Sequence, residues 1–305
     1  MRAISESSIG KISRKVESIL EERILEQAVP MVIAASLKHV ANEQLMRLIR
    51  LQKQYDFLER FDNYIARYKT ELRSTVEDMW MELIANVNRK SFKTAWFKYK
   101  DNFKQEGWLP DDIKYAKEIE EEVLGYSHNT IVAGGQYALD DLAMDIDFTM
   151  PPPTAVVWAA ENAEKLGKSI TNTELKTMRK VLKEAQVEGL SIPKIRNMLM
   201  DRMNMSKHRA SMTARTEILK SSNRGVLEGF KRSGVVEGKQ WNAAIDQRTC
   251  PECAEMDGVT AGPLDTPFFT QGESFGSHVF DYEDIQHPPL HVGCRCTLLA
   301  IVREF

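Results

Sequence analysis

Apolar residues recur at intervals of three and four along the N-terminal half of the chain, at Leu58, Phe61, Ile65, Tyr68, Leu72, Val76, Met79 and Leu83. In a helix that spacing puts side chains on one face, so the run predicts an amphipathic α-helix turned toward a core. Leu48, Leu51 and Tyr55 extend the stripe upstream. No glycine or proline occurs from Met31 to Glu106, which removes the two strongest helix breakers. A shorter helix with Ile9, Ile12, Val16, Ile19 and Ile24 inward is expected before it, ended by Pro30. Residues 1 to about 125 therefore read as a bundle of long helices, with Trp96, Tyr99 and Trp108 placed to cap it.

Gly134-Gly135 and Pro151-Pro152-Pro153 mark a break, and three successive prolines favour an extended spacer. Between them lie Asp140, Asp141, Asp145 and Asp147, which lack the spacing and glycine of a calcium loop and read as a solvated helix end. Helical signals then resume. Thr171-Asn172-Thr173-Glu174 has the form of a capping box and opens a helix burying Leu175, Met178, Leu182 and Ala185, with Gly189 placed to end it. Ser191 caps a second helix with Pro193 in its first turn and Ile195, Leu199 and Met203 inward. A third is expected from about Ser206. On it Arg209, Lys220, Arg224 and Lys231 share one face, while Met212, Leu219, Val226 and Phe230 share another. Gly225 and Gly229 are each unfavourable in a helix interior by about 1 kcal/mol, and a break is expected there.

Past Gly234 the texture changes to Gly, Pro, Asp and Thr with short β-favouring runs such as Thr297–Val302. The fold class expected is mainly α. A long-helix docking region spans 1–150, a basic helical region 151–234, and a small α+β module 235–305. A module that small usually needs a staple.

Charge divides along the same boundaries. The formal net charge of −3 is the balance of −4 over 1–150, +8 over 151–232 and −7 over 233–305. A basic middle between acidic ends suits a polyanion, and it equally suits packing of that middle against its own acidic tail. On the first reading Arg209, Lys220, Arg224 and Lys231 form a phosphate-facing, DNA-binding surface. No apolar run approaches the roughly 20 residues of a membrane span, the N-terminus lacks the apolar run of a signal peptide, and no membrane partner is expected.

All four cysteines lie in the tail, as Cys250-Pro-Glu-Cys253 and His291-Val-Gly-Cys294-Arg-Cys296. Pairs this tight gather soft ligands on one small ion, the arithmetic of tetrahedral zinc. The bland alternative is four buried small hydrophobes. Cys250 and Cys253 form the firmer half, and His291 with Cys294 is favoured for the other. Cys296 keeps a four-cysteine site open, because i and i+2 share a face on a strand. His287 reads as a surface residue. Four protein ligands would make a structural zinc site with no place for water.

The run Ala214-Arg215-Thr216-Glu217-Ile218, then Asn223-Arg224-Gly225, Trp241, Asp246 to Cys253, Asp257-Gly258 and Pro288 to Cys296 resembles the phage Mu F-like head morphogenesis family. These are minor head proteins of tailed bacteriophages and prophages. The likeness covers about 171–302, and the N-terminal half carries no matching motif. It implies a non-enzymatic virion protein at the portal vertex inside the prohead, acting in head assembly and in DNA packaging or ejection. The implied partners are the portal protein, double-stranded DNA bound without sequence preference, and scaffold or major capsid protein. The implied location is the capsid interior, after assembly in the host cytoplasm. Two enzymatic alternatives stand beside it. A zinc-dependent nuclease could use His287 or His291 with Asp246, but needs an open metal site. An ADP-ribosyltransferase-like enzyme could use Arg215 and Glu217, but no Glu-x-Glu pair follows Glu122. A zinc-ribbon regulator would show two clear C-x2-C knuckles.

Overall fold

The computed structural model describes residues 31–98, 104–280 and 283–303, with side chains in the first helix from residue 44 onward. The expected helix over Ile9–Ile24, its terminating Pro30, and Tyr99 lie outside the described residues. The described helices are α1 (Met31–Asn88), α2 (Lys90–Lys98), α3 (Asp112–Asp141), α4 (Pro153–Val187), α5 (Ile192–Ser233) and the short α6 (Pro251–Met256). The described strands are β1 (Val236–Asn242), β2 (Thr260–Ala261), β3 (Ser274–Phe275), β4 (His278–Val279) and β5 (Thr297–Val302). The chain is mainly helical with a few small strands at its C-terminal end.

The stripe on α1 is the wall of the core. Phe61, Ile65, Tyr68, Leu72, Val76, Met79 and Leu83 are all buried, and Phe57, Trp80 and Val87 widen the face. The upstream extension differs from expectation, since Leu51 and Tyr55 are exposed. There the side chain turned inward is Gln54, whose Nε2 donates to the Arg295 carbonyl (2.6 Å). Trp96 stacks on Phe92 at 5.7 Å, and Trp108 meets Phe92 edge-on at 5.1 Å, closing the end of the bundle as expected.

Four punctuation marks in the sequence turn out to be continuous helix. Gly134-Gly135 lies inside α3, and Gly225 and Gly229 lie inside α5. Their role is steric: α3 and α5 cross so closely that a Cβ on Gly225 would overlap the Ile131 carbonyl, and one on Gly134 the Ser222 carbonyl. The helices trade propensity for backbone-to-backbone contact. The prolines start α4 rather than form a spacer: Pro152 is the N-cap and Pro153 the first helical residue, where a missing N–H costs nothing. The apparent capping box lies in the middle of α4, where Thr171 and Glu174 are both buried. Glu174 accepts from Trp80 Nε1 (2.8 Å) and Arg209 (3.1 Å), joining α1, α4 and α5 at one polar node. No new helix begins at Ser206, because α5 runs unbroken from Ile192. Gly189 ends its helix as expected, at φ +63°, and Gly234 caps α5 in the same left-handed way, at φ +70°. Asp140 and Asp141, at the end of α3, pair with Arg60 (3.2 Å) and Lys53 (2.7 Å) on α1.

The tail forms an antiparallel sheet in the order β2-β1-β5, with Trp241 opposite Leu298 and Asn242 opposite Thr297. One apolar cluster runs from the helices into Val236 and Leu298. A second, around Trp241, Met256, Phe280 and Leu290, contains Cys253, Cys294 and Cys296.

The crossing of α3 and α5 makes a signed prediction. Gly225→Ala should lower stability by about 1–3 kcal/mol, because rigid backbone cannot yield to the methyl group. Gly125→Ala, on an exposed face of α3 with nothing within 4 Å, should raise it by up to about 1 kcal/mol. Thermal or urea unfolding of the two variants checks both signs.

Candidate metal centre

The first pair of donors is set by a helix start. Cys250 is the N-cap of α6, with Pro251 in the first turn, and its sulfur accepts the Cys253 amide (3.3 Å). The sequence C-P-E-C thus folds so that both sulfurs turn to the same side of one tight turn. The second group comes from the loop entering β5. Gly293 takes φ +83°, a left-handed value that suits glycine, and the Cys294 amide closes the turn on the His291 carbonyl (3.1 Å). This loop rests on α5, where Thr216 Oγ1 accepts the Gly293 amide (3.0 Å).

The two groups meet around one sulfur. Cys250, Cys253 and His291 offer donor atoms all within 4.8 Å of one another, as do Cys253, Cys294 and Cys296. His291 Nε2 lies 3.1 Å from Cys250 Sγ and 3.2 Å from Cys253 Sγ, and Cys253 Sγ lies 3.7 Å from Cys294 Sγ. A zinc tetrahedron with about 2.3 Å bonds to sulfur has edges of about 3.8 Å. A void of about 20 Å³ lies among the five donors. All five residues singled out in the sequence thus come together here, as two triads that share Cys253.

The surroundings fit a cation. His291 Nδ1–H donates to the Val292 carbonyl (2.9 Å), which leaves the Nε2 lone pair facing the sulfurs. The buried indole N–H of Trp241 has no partner and faces Cys296, where a thiolate would accept it. The thiols themselves conflict. Hydrogen bonding from Cys253, then Cys296, pulls the Cys294 thiol well down, while hydrogen bonding to Cys294 pushes Cys253 up. Packed thiols without an ion can hold little negative charge, whereas a divalent cation allows several to ionise together.

A clip holds the two groups in register. Arg295, between Cys294 and Cys296, makes two 2.6 Å bonds to the carboxylate of Asp246, just ahead of Cys250. Hydrogen bonds from Arg295 hold the Asp246 carboxyl well below the usual carboxylate range. Asp246 thus serves as a brace between the two groups.

His287 belongs to neither triad and is not a surface residue. It is buried, with its ring edge-on to Trp158 at 5.9 Å and Nδ1–H donating to the Pro288 carbonyl (2.8 Å). Burial pushes its pKa down to about 3, with Arg224 and Lys220 acting in the same sense. It lines a cavity of about 740 Å³ beside the cluster, together with Trp158, Glu217, Lys220, Arg224 and His291.

The four cations expected on the DNA-facing side of α5 all have acidic partners. Arg209 pairs with Glu174 (3.1 Å), Lys220 with Glu283 (2.7 Å), Arg224 with Glu228 (2.8 Å) and Lys231 with Asp265 (2.6 Å). At Lys220 and Lys231 the basic helix meets the acidic tail, the second of the two readings that the charge pattern allowed. Sequence reasoning missed Lys239, which is fully buried on β1 with Nζ donating to the Leu264 carbonyl (2.9 Å) and to Gln286 (3.1 Å). Its signal was present: Lys239 sits two residues before the buried Trp241, on the same face of β1.

Fold and centre together define a helical protein that carries a Cys- and His-rich module built onto α5. Residues 176–299, which hold α5, β1, β2, the start of β5 and all five donors, match the family described as Phage Mu protein F like protein. The resemblance read from separated motifs is thus found by the family as well. The chain is also 23% identical over 248 residues to the uncharacterized protein YqbB of Bacillus subtilis (strain 168), covering 81% of this chain and 79% of that one. No solved structure matches the chain.

Buried neutral His287 makes a pH prediction. The unfolded chain takes up a proton near pH 6.5 and the folded chain does not until about pH 3, so this group's contribution is full above 6.5 and is lost as pH falls. The stability of the native sequence should fall between pH 6.5 and 5 more steeply than that of His287→Asn, by at most about 1.4 kcal/mol per pH unit. Unfolding midpoints across that range check it, and parallel slopes would contradict it.

Proposed function

We propose that this protein is a non-enzymatic minor head protein of a tailed phage or prophage, bound at the portal vertex inside the prohead and acting in head morphogenesis and DNA passage. The observation that carries the reading is the coincidence of the Phage Mu protein F like match with two triads of soft donors that share Cys253. The long helices suit docking on other subunits. No described helix is long and apolar enough to cross a membrane, which accords with a partner set of portal protein, scaffold or capsid protein and DNA.

In this reading zinc is structural. Cys250, Cys253 and His291 supply three ligands, and Cys294 takes the fourth place by its 3.7 Å approach to Cys253. Four protein ligands leave no position for water, so the ion closes a loop of about forty residues and does no chemistry. The net charge of +8 over 151–232 supports sequence-independent contact with DNA.

Two measurements test the proposal. Co-expressed with the portal protein of the same phage, this chain should elute with the portal assembly and appear in proheads. Its absence from both would overturn the assignment. Protein purified under reducing conditions should hold about one zinc per chain. Cys253→Ser, which removes the donor common to both triads, should lose most of it, whereas Cys296→Ser should keep it. Retention by Cys253→Ser would refute the ligand set.

A further inference from the structure

The paired state of Arg209, Lys220, Arg224 and Lys231 moves the question of anion binding to a different surface. A groove of about 350 Å³ runs between α1 and α5, and Lys69, Arg73, Lys207, His208, Ser211 and Arg215 line it. No Asp or Glu is among its lining residues. Lys69 and Arg73 lie one turn apart on α1, and Lys207, Ser211 and Arg215 repeat every four residues on α5, so cationic groups face each other across the cleft.

Of the four Lys and Arg side chains that line the groove, three have no acidic partner within ion-pair distance. Lys207 has a partner, Glu77 (2.5 Å). Among the described residues, the side chains of Lys69, Arg73 and Arg215 have no hydrogen bond or ion pair. Arg215 is half-buried, and Arg295 and Arg248 act on it as like charges, with Asp62 as the opposing acid beyond ion-pair distance. A half-buried guanidinium without a partner is costly, and an oxyanion would satisfy both its charge and its planar donor set. Arg215 also belongs to the Ala214–Ile218 run, whose polar groups the metal centre leaves unexplained apart from Thr216.

We propose that this groove is a phosphate-binding site and that Lys69, Arg73 and Arg215 seat the phosphodiester backbone of duplex DNA in it. The assignment deepens the DNA-contact reading above and rests on it. From Ile65 to Arg73 the α1 wall is about 12 Å long at 1.5 Å per residue, enough for one or two phosphate groups. Because its donors reach phosphate oxygens and not base edges, the site is blind to sequence.

The test uses the full chain and a labelled random-sequence duplex, followed by fluorescence anisotropy at several salt concentrations. Lys69→Glu/Arg73→Glu is compared with Lys194→Glu/Arg196→Glu, an exposed pair on α5 with the same change in net charge. The groove pair should lose at least tenfold in affinity and lower the salt slope by about two, while the control pair loses less than about threefold. Arg215→Ala, with its fold checked by circular dichroism, should also weaken binding. Equal loss in both charge-reversed pairs means diffuse attraction and overturns the groove. If the native chain ignores duplex DNA yet inorganic phosphate raises its melting temperature, and Lys69→Glu/Arg73→Glu abolishes that rise, the phosphate site stands and the DNA reading falls. If neither DNA nor phosphate binds, both fall.

Discussion

The tail of this protein converges on the sulfur of Cys253. That atom is the only donor common to both triads, and it lies in the apolar cluster that also holds Trp241, Met256 and Leu290. Several soft donors brought this close repel one another as thiolates and satisfy one another poorly as thiols. A cation reverses the sign of the interaction. The small module past Gly234 has only short strands of its own, and its two distant segments meet at three places: the pairing of β1 with β5, the Asp246–Arg295 clip and the donor cluster.

The module does not float free of the helices. Its donor-bearing loop rests on Thr216 of α5, and Gln54 of α1 binds the carbonyl between Cys294 and Cys296. Helix α5 can serve as this platform because glycines let it sink against α3, backbone on backbone. A shift of α5 outward would move Thr216 and the donor-bearing loop together. Packing in the helical half and geometry at the centre are therefore linked through one helix, a coupling that needs no contact between glycine and ligand.

What was legible in the sequence follows from which signals are local. The α1 stripe from Phe61 to Leu83 and the helix end at Gly189 depend on near neighbours, and they were read correctly. The gathering of Cys250, Cys253, His291, Cys294 and Cys296 was visible because soft donors at tight spacing stand out in a chain with no other cysteine. The errors share a cause. Gly134-Gly135, Gly225 and Gly229 look like breaks when only propensity is considered, and become contacts once another helix lies against them. Thr171 and Glu174 match a capping pattern that a buried polar node also produces. The cationic face of α5 was visible as a pattern, but the acids that neutralise Lys220 and Lys231 lie dozens of residues downstream, at Glu283 and Asp265. The unpaired cations were harder still to see, since the groove assembles Lys69 and Arg73 with Arg215 across more than a hundred residues.

The account has the C-terminal module stapled by an ion to a basic helical platform, in a protein whose Phage Mu protein F like region contains both. X-ray absorption at the zinc edge, on reduced protein as purified, tests that claim most directly. The account predicts a shell of three sulfurs at about 2.3 Å and one imidazole nitrogen at about 2.0 Å. A shell of oxygen and nitrogen alone, or fully folded protein with no bound metal, would contradict it.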